Sequence, residues 1–289
     1  MQKETSFTYS NALGTIHFAY DSDYWISNIS GMETDVSMTT SQSAGQRGTT
    51  VNEQSVQPKK LTVNGSISGD VEAHRAAILS VAVPKVQSKL TITQGGENWS
   101  LDGYPTKTPL FSDGAALQEF QFTFYAPYPY FKQDLKRYEL AGLAARWRTP
   151  FNTGGTHYIS KFTTDMFRPI ANDGNIAQAF TVTLSASAEL SRPVIHNASK
   201  NTLIRIDKTL AAGERFVIST ADADKDAGNG VLYYDAAGVR HNGYKYVTLD
   251  SDLNMRVSVG GDIFLADAQT HKSNLRCVIM VAGGERHSL

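Results

Sequence analysis

The chain has little of three things: cysteine, charge and long apolar runs. Its 289 residues include one cysteine, Cys277, so no disulfide can form within the chain and packing alone has to stabilise the fold. Charged residues make up 19% and the formal net charge is −1, which excludes a broad attraction to nucleic acid or to an anionic membrane. No apolar run approaches the ~20 residues of a membrane span, and the first residues lack a signal-peptide core. We therefore expect a protein made and folded in a reducing cytosol.

The motifs of the common enzyme classes are also missing. The sequence has no G-x-S-x-G elbow, no Walker loop and no G-x-G-x-x-G that opens a helix. The histidines are too far apart to form a zinc pair. Residues 222–228 carry alternating carboxylates, but Gly228 and Tyr233 do not match the EF-hand pattern, and a solvated acidic turn is favoured. We predict no catalytic residue, no metal site and no cofactor, and hence a protein that is not an enzyme.

What the chain does have is a strongly patterned aromatic stretch at residues 117–131. Phe120, Phe122 and Phe124 fall two residues apart, so their rings share one face of a β-strand, and that face belongs in a core. Pro127 and Pro129 follow and cannot donate hydrogen bonds to a sheet. A buried strand with this exit predicts a domain boundary, and we place the domains at residues 1–135 and 136–289.

The two predicted domains differ in their patterns. The first alternates short β-prone segments with a single helix, predicted over residues 70–83, with Asp70 as the N-cap and Pro84 after its end. The second consists of many short strands with closely spaced turns, which predicts an antiparallel β-sandwich. Residues 133–150 fit no clear period, and no convincing helix is expected after residue 140. The fold class is therefore mainly β.

Residues 39–58 form a polar segment that is almost devoid of large apolar side chains. Connections of this length are uncommon in compact domains and are usually functional or disordered. Because the flanking segments are β-prone, we predict an extended hairpin that pairs with a neighbouring molecule by strand addition. A mobile surface loop is the alternative.

Aromatic side chains of the second domain carry a different hypothesis. Exposed tyrosines and tryptophans stack on sugar rings, whereas strand tyrosines more often belong to cores and subunit contacts. Both interpretations stay open for a set of six residues, of which the core interpretation is favoured: Trp147, Tyr158, Tyr233, Tyr234, Tyr244 and Tyr246.

Several segments, taken in order, resemble the phage distal tail protein family. The resemblance covers essentially the whole chain, and its strength lies in the order of the segments, since no single motif is highly specific. The matching segments are residues 23–32, 40–48, 60–65, 120–131, 192–197 and 203–218.

The resemblance implies a structural role. Members of this family form a ring at the tail tip through a tail-tube-like belt domain, and their C-terminal galectin-like sandwich serves as a docking platform. It implies a homo-oligomeric, hexameric ring in the virion, with the tail tube protein, a tail-tip or tail-associated protein and receptor-binding proteins as partners. The polar segment then becomes a subunit-contact arm, whose contact residues we predict to be Gln42, Gly45, Gln46, Arg47, Gly48 and Asn52. Two alternatives remain: a host-saccharide-binding module, and a tail-tube or contractile-tail baseplate subunit of related fold.

Overall fold

The computed structural model describes residues 6–19, 22–114, 117–145, 160–163 and 167–289. The chain divides into two compact units, and we call residues 1–134 with 285–289 unit 1, and residues 135–284 unit 2. That residues 1–135 and 136–289 fold as two separate domains stays a prediction. Within the structure, however, residues 285–289 lie with unit 1.

Across its described residues, unit 1 contains one large antiparallel sheet, one separate hairpin and one helix. The sheet has the order β2-β1-β7-β8-β10-β6-β3, with the short strands β9, β11 and β24 attached to it, and β4 pairs with β5. The bounds of these elements are β1 Ser6–Asn11, β2 Gly14–Phe18, β3 Tyr24–Ser30, β4 Val36–Ser41, β5 Thr50–Val56, β6 Lys59–Ser68, α1 Val71–Val81, β7 Ser88–Gln94, β8 Glu97–Pro105, β9 Leu110–Phe111, β10 Leu117–Ala126, β11 Phe131–Lys132 and β24 Glu285–Arg286.

The aromatic strand β10 lies at the centre of the unit 1 core, as its alternation predicts. Phe120, Phe122 and Phe124 are all buried. The Tyr9 ring on β1 lies 5.5 Å from that of Phe122 and 6.3 Å from that of Phe124, centre to centre. Since β7 and β8 separate β1 from β10 in the sheet order, these contacts show that the sheet curls over a shared core. Gly65, opposite Phe120 on β6, is required there, because a Cβ would lie 2.4 Å from the Phe120 ring.

Helix α1 confirms the predicted helix. The side chain of Asp70 accepts a hydrogen bond from the backbone N–H of Ala73 at 3.1 Å, which caps the first turn. Val71, Ile78 and Val81 are buried and attach the helix to the unit 1 core. The helix ends ahead of Pro84, as expected for a residue that cannot continue it.

The proline-rich exit does end the pairing of β10, and residues 131–132 then pair with the end of the chain. Phe131 lies opposite Arg286, and Lys132 lies opposite Glu285. The Tyr128 hydroxyl donates to the Glu285 carboxylate at 2.9 Å, and the Arg286 guanidinium lies 4.2 Å from the centre of the Trp99 ring. These contacts hold residues 285–289 against unit 1.

The described part of unit 2 contains two antiparallel sheets. One has the order β13-β12-β23-β15-β19-β20-β21 and the other the order β14-β22-β16-β17, with β18 attached to β16. Their bounds are β12 Leu135–Ala145, β13 Ser160–Thr163, β14 Arg168–Ile170, β15 Phe180–Ala186, β16 Leu190–Asn197, β17 Thr202–Arg205, β18 Thr209–Leu210, β19 Arg215–Ser219, α2 Asp222–Asp226, β20 Val231–Tyr234, β21 Arg240–Asn242, β22 Asp262–Thr270 and β23 Leu275–Ala282. Two 3₁₀ turns span Tyr244–Tyr246 and Lys272–Asn274.

The predicted β-sandwich is present, because the inner faces of both sheets bury into one core. Alternation along β15 buries Phe180, Val182 and Leu184, and the Phe180 ring meets the Phe264 ring of the other sheet at 5.3 Å. Cys277 is fully buried on β23, and burial raises the pKa of its thiol. The thiol is therefore unreactive in the folded protein.

Two expectations for unit 2 are wrong. Residues 135–145 form the strand β12, although no period was visible there, since a β-bulge between Glu139 and Ala141 shifts the alternation. Residues 222–226 form the short helix α2 where no helix was expected. A five-residue helix is too short to show a periodic apolar face. In the described part of the chain, no helix is long and apolar enough to cross a membrane.

Candidate subunit-contact arm

The polar segment contributes to a regular hairpin, but the hairpin does not join the two flanking strands, because residues 61–67 belong to β6, which pairs with β3 and β10. Strands β4 and β5 pair antiparallel, from Val36 opposite Val56 to Ser41 opposite Thr50. Every residue of the two strands is exposed except Val56, which is half-buried. Among the described strands they pair only with each other, so each has an outer edge free to accept another strand. We call residues 36–56 the arm.

Gln46 organises the tip of the arm. Its side-chain carbonyl accepts from the Ser43 N–H at 3.0 Å, and its amide donates to the Thr50 hydroxyl at 2.9 Å. The Gln42 side chain donates to the Gln46 backbone carbonyl at 3.1 Å. Gln42 and Gln46, two of the predicted contact residues, thus lie together, and their hydrogen bonds stabilise the turn of the hairpin.

The other predicted contact residues are distributed along the arm. Gly45 and Gly48 have φ of +83° and +87°, the left-handed region that glycine adopts at little cost, and a side chain there would meet open space. Arg47 is exposed between them, and no ion pair to it is found in the described chain. Asn52 lies on β5, where its side-chain carbonyl accepts from the Ser41 hydroxyl at 3.1 Å. The Arg47 guanidinium at the tip is therefore available to pair with an acidic group.

One face of the arm is apolar, although most residues of the arm are polar. Opposed residues of an antiparallel pair share a face, and the pairing of β4 with β5 places Val36, Met38 and Val51 on the same one. Their exposed fractions are 44%, 56% and 44%. The opposite face carries Ser37 and Thr39, together with their hydroxyl and carboxylate partners. Val36 and Met38 precede the polar segment 39–58, and a bulge between Thr39 and Thr40 brings Val51 into register with them.

The arm root, residues 32–35 and 57–59, contains a buried cation that no local sequence pattern predicts. Lys59 is 3% exposed, and its ammonium donates to the carbonyls of Met32 and Glu33 at 2.8 and 2.7 Å and to the Thr34 hydroxyl at 3.1 Å. Burial lowers the pKa of Lys59, while Glu33 and Asp35 act in the opposite direction. The only signal in the sequence was a lysine at the first position of a strand with alternating apolar residues.

The tyrosines of unit 2 lie mostly in or against its core. Tyr233 is buried, and its hydroxyl donates to the Glu214 carboxylate, which also pairs with Lys208 at 2.9 Å. Tyr244 and Tyr246 are half-buried against the same core. The core interpretation is confirmed for these three, and the idea of an exposed Tyr233 is wrong. Half-buried Tyr234 contacts the Arg215 guanidinium at 4.3 Å from the ring centre, while Trp147 and Tyr158 lie outside the described residues.

The acidic segment 222–228 forms ion pairs with nearby basic side chains. Asp222 pairs with Lys225 at 2.8 Å and with Arg256 at 2.9 Å. The hydrogen bond from Lys225, followed by that from Arg256, lowers the pKa of Asp222 although partial burial opposes the shift. Within the described ranges, no group of three or more metal-ligating side chains comes together.

A sheet that curls over an aromatic core, an exposed hairpin and an antiparallel sandwich together make up a fold that is also found in solved structures. The structure is similar to that of the SPP1 Dit protein (gp 19.1), whose description names it a paradigm of the hub adsorption apparatus in phages that infect Gram-positive bacteria. The TM-score is 0.63 at 11% identity, over 96% of this chain and 98% of that one. The resemblance to distal tail proteins is thus confirmed at the level of the fold.

Other comparisons add little to this. The baseplate of phage P2 in its activated conformation with Ca matches at a TM-score of 0.48 and 10% identity, over 98% of this chain and 97% of that one. No protein-family model matches the sequence, and no curated protein matches it either.

Proposed function

We propose that this protein is a structural hub of a phage tail tip, located in the virion and made in the host cytoplasm. It assembles as a homo-oligomeric, hexameric ring that joins the tail tube to the tail-tip and receptor-binding apparatus. The observation that carries the proposal is the fold shared with the SPP1 Dit protein over nearly the whole length of both chains. An enzymatic role is not proposed, because the SPP1 Dit protein is described as part of a hub adsorption apparatus.

The arm supports self-assembly. Exposed apolar side chains on one face of a hairpin gain free energy when another surface covers them, at about 25 cal/mol per Å² of apolar area. Val36, Met38 and Val51 form such a face, and nothing in the described part of unit 1 buries them. The free edges of β4 and β5 also offer backbone hydrogen bonds to a second copy. A ring of identical subunits satisfies every arm in the same way.

The sandwich of unit 2 is proposed as the platform for other tail proteins. Its two sheets share one core, and Tyr233, Tyr244 and Tyr246 supply packing within the unit. The partners we propose are the tail tube protein, a tail-tip protein and receptor-binding proteins, with no nucleic-acid readout.

The ring is tested by light scattering coupled to size exclusion over a range of protein concentrations, followed by electron microscopy of the largest species. We expect a closed ring of uniform copy number that forms as the concentration rises. A strictly monomeric protein at all concentrations, with no ring in the presence of the tail tube protein, would overturn the proposal.

A further inference from the structure

Residues 285–289 contact the arm root directly. The Thr34 hydroxyl donates to the backbone carbonyl of His287 at 2.8 Å. The same hydroxyl oxygen accepts from the Lys59 ammonium at 3.1 Å. Thr34 therefore joins a residue at the end of the chain to a residue at the start of β6, immediately below the arm.

The position of the His287 carbonyl is itself well determined. The preceding residues, Glu285 and Arg286, pair with β11 and contact Tyr128 and Trp99 through their side chains. The His287 ring packs edge-on against the Tyr130 ring at 5.2 Å between centres. The carbonyl is thus a fixed point of unit 1 to which the arm root is attached.

Lys59 supplies the second attachment. An ammonium has three donors, and here each has one acceptor, on three successive residues of the root, Met32, Glu33 and Thr34. The Phe131 ring lies beneath the ammonium, at 5.8 Å from ring centre to nitrogen. The other side of the root is closed by the Gln57 N–H, which donates to the Asp35 carbonyl at 2.9 Å.

We propose that residues 285–289 position the arm. Acting through Thr34 and Lys59, they fix the direction in which the hairpin leaves unit 1, so that its apolar face points at the surface it is to meet. Thr34 and Lys59 are positioning residues, since neither lies on that face. The inference rests on the proposed function only where it says that arm direction matters for assembly.

Arm direction can be measured without any ring. The only native cysteine, Cys277, is buried, so spin labels on the double variant A44C/A76C report the distance between the arm tip and helix α1. An excess of unlabelled protein keeps labelled copies apart. We expect a narrow distance distribution in this background, and a broad one after Thr34→Val, which removes the hydroxyl while keeping the shape. Thr34→Ser restores the hydroxyl and should restore the narrow distribution.

A matched control is Thr39→Val, an exposed threonine on the arm itself, which should leave the distribution narrow. Thermal unfolding of each variant confirms that unit 1 is intact. We also expect Thr34→Val to raise the concentration needed for assembly about tenfold, because an arm released from both hydrogen bonds of Thr34 has to be ordered again when a ring forms. A distribution as narrow in Thr34→Val as in the background would overturn the inference. If the background forms no ring, the proposed function fails, whereas the distance measurement still decides on arm positioning.

Discussion

Met38 is the residue at which the proposed role of the arm is most sharply tested. Its side chain is 56% exposed, the largest value among the three apolar residues of the arm face. Complete burial of a methionine side chain contributes about 1.5–3 kcal/mol. If a second copy covers the part that unit 1 leaves exposed, the contact supplies about 1–1.5 kcal/mol per arm. Truncation to alanine removes most of this contribution.

The expected effect is large enough to measure. A loss of about 1–1.5 kcal/mol weakens each subunit contact roughly five- to tenfold. In a closed ring with one such contact per chain, the concentration at which half of the chains are assembled rises by a similar factor, roughly five- to tenfold. The assay is light scattering on a dilution series of Met38→Ala and of the unsubstituted protein, in the same buffer.

The neighbouring residue provides the control. Thr39 is exposed like Met38 but lies on the opposite face of the hairpin. Thr39→Ala should assemble at the concentration of the unsubstituted protein. The reasoning is refuted if Met38→Ala assembles normally, or if Thr39→Ala is the more damaging change, since the contact face would then be the polar one. Unchanged thermal unfolding of both variants shows that the effect belongs to assembly.

Much of the fold was predictable because local patterns coincided with tertiary burial. Phe120, Phe122 and Phe124 alternate on a strand whose one face is core, so the period of two could be read directly from the sequence. Helix α1 carries both a capping aspartate and a following proline. Strand β12 escaped prediction because its bulge at residues 139–141 breaks the alternation on which such a prediction depends.

The position of the candidate site could be predicted from the sequence, whereas its apolar face and its contact with His287 could not. A long polar stretch between β-prone segments indicated a hairpin, and the glycines at its tip do adopt the left-handed conformation. The apolar face could not be recognised, because it depends on the register between β4 and β5 and therefore on the bulge at Thr39 and Thr40. The link from Thr34 to His287 spans nearly the whole chain, and local patterns carry no information on such a contact.

The remaining predictions concern the arm tip, the unit 1 core and the pH dependence of unit 2. Gln46→Ala removes two side-chain hydrogen bonds, so amide exchange at residues 42–50 should quicken while the rest of unit 1 stays protected; uniform quickening would contradict a local role. Phe124→Ala should destabilise unit 1 by about 3–5 kcal/mol in a denaturant titration, since the ring is fully buried; a loss below 1 kcal/mol, the usual scale of a surface change, would argue against its central position. Burial raises the pKa of Glu214, but the hydrogen bonds from Tyr233, Lys208 and the Ala211 N–H outweigh it and the net pKa is lowered. A depressed pKa contributes stability that is present above the unfolded value of about 4.3 and is lost as the pH falls through the folded value. Below about pH 4.3, the free energy of unfolding of unit 2 should therefore fall less steeply with decreasing pH in Glu214→Gln than in the unsubstituted protein. An unchanged pH dependence would show that this carboxylate is not stabilised by its neighbours.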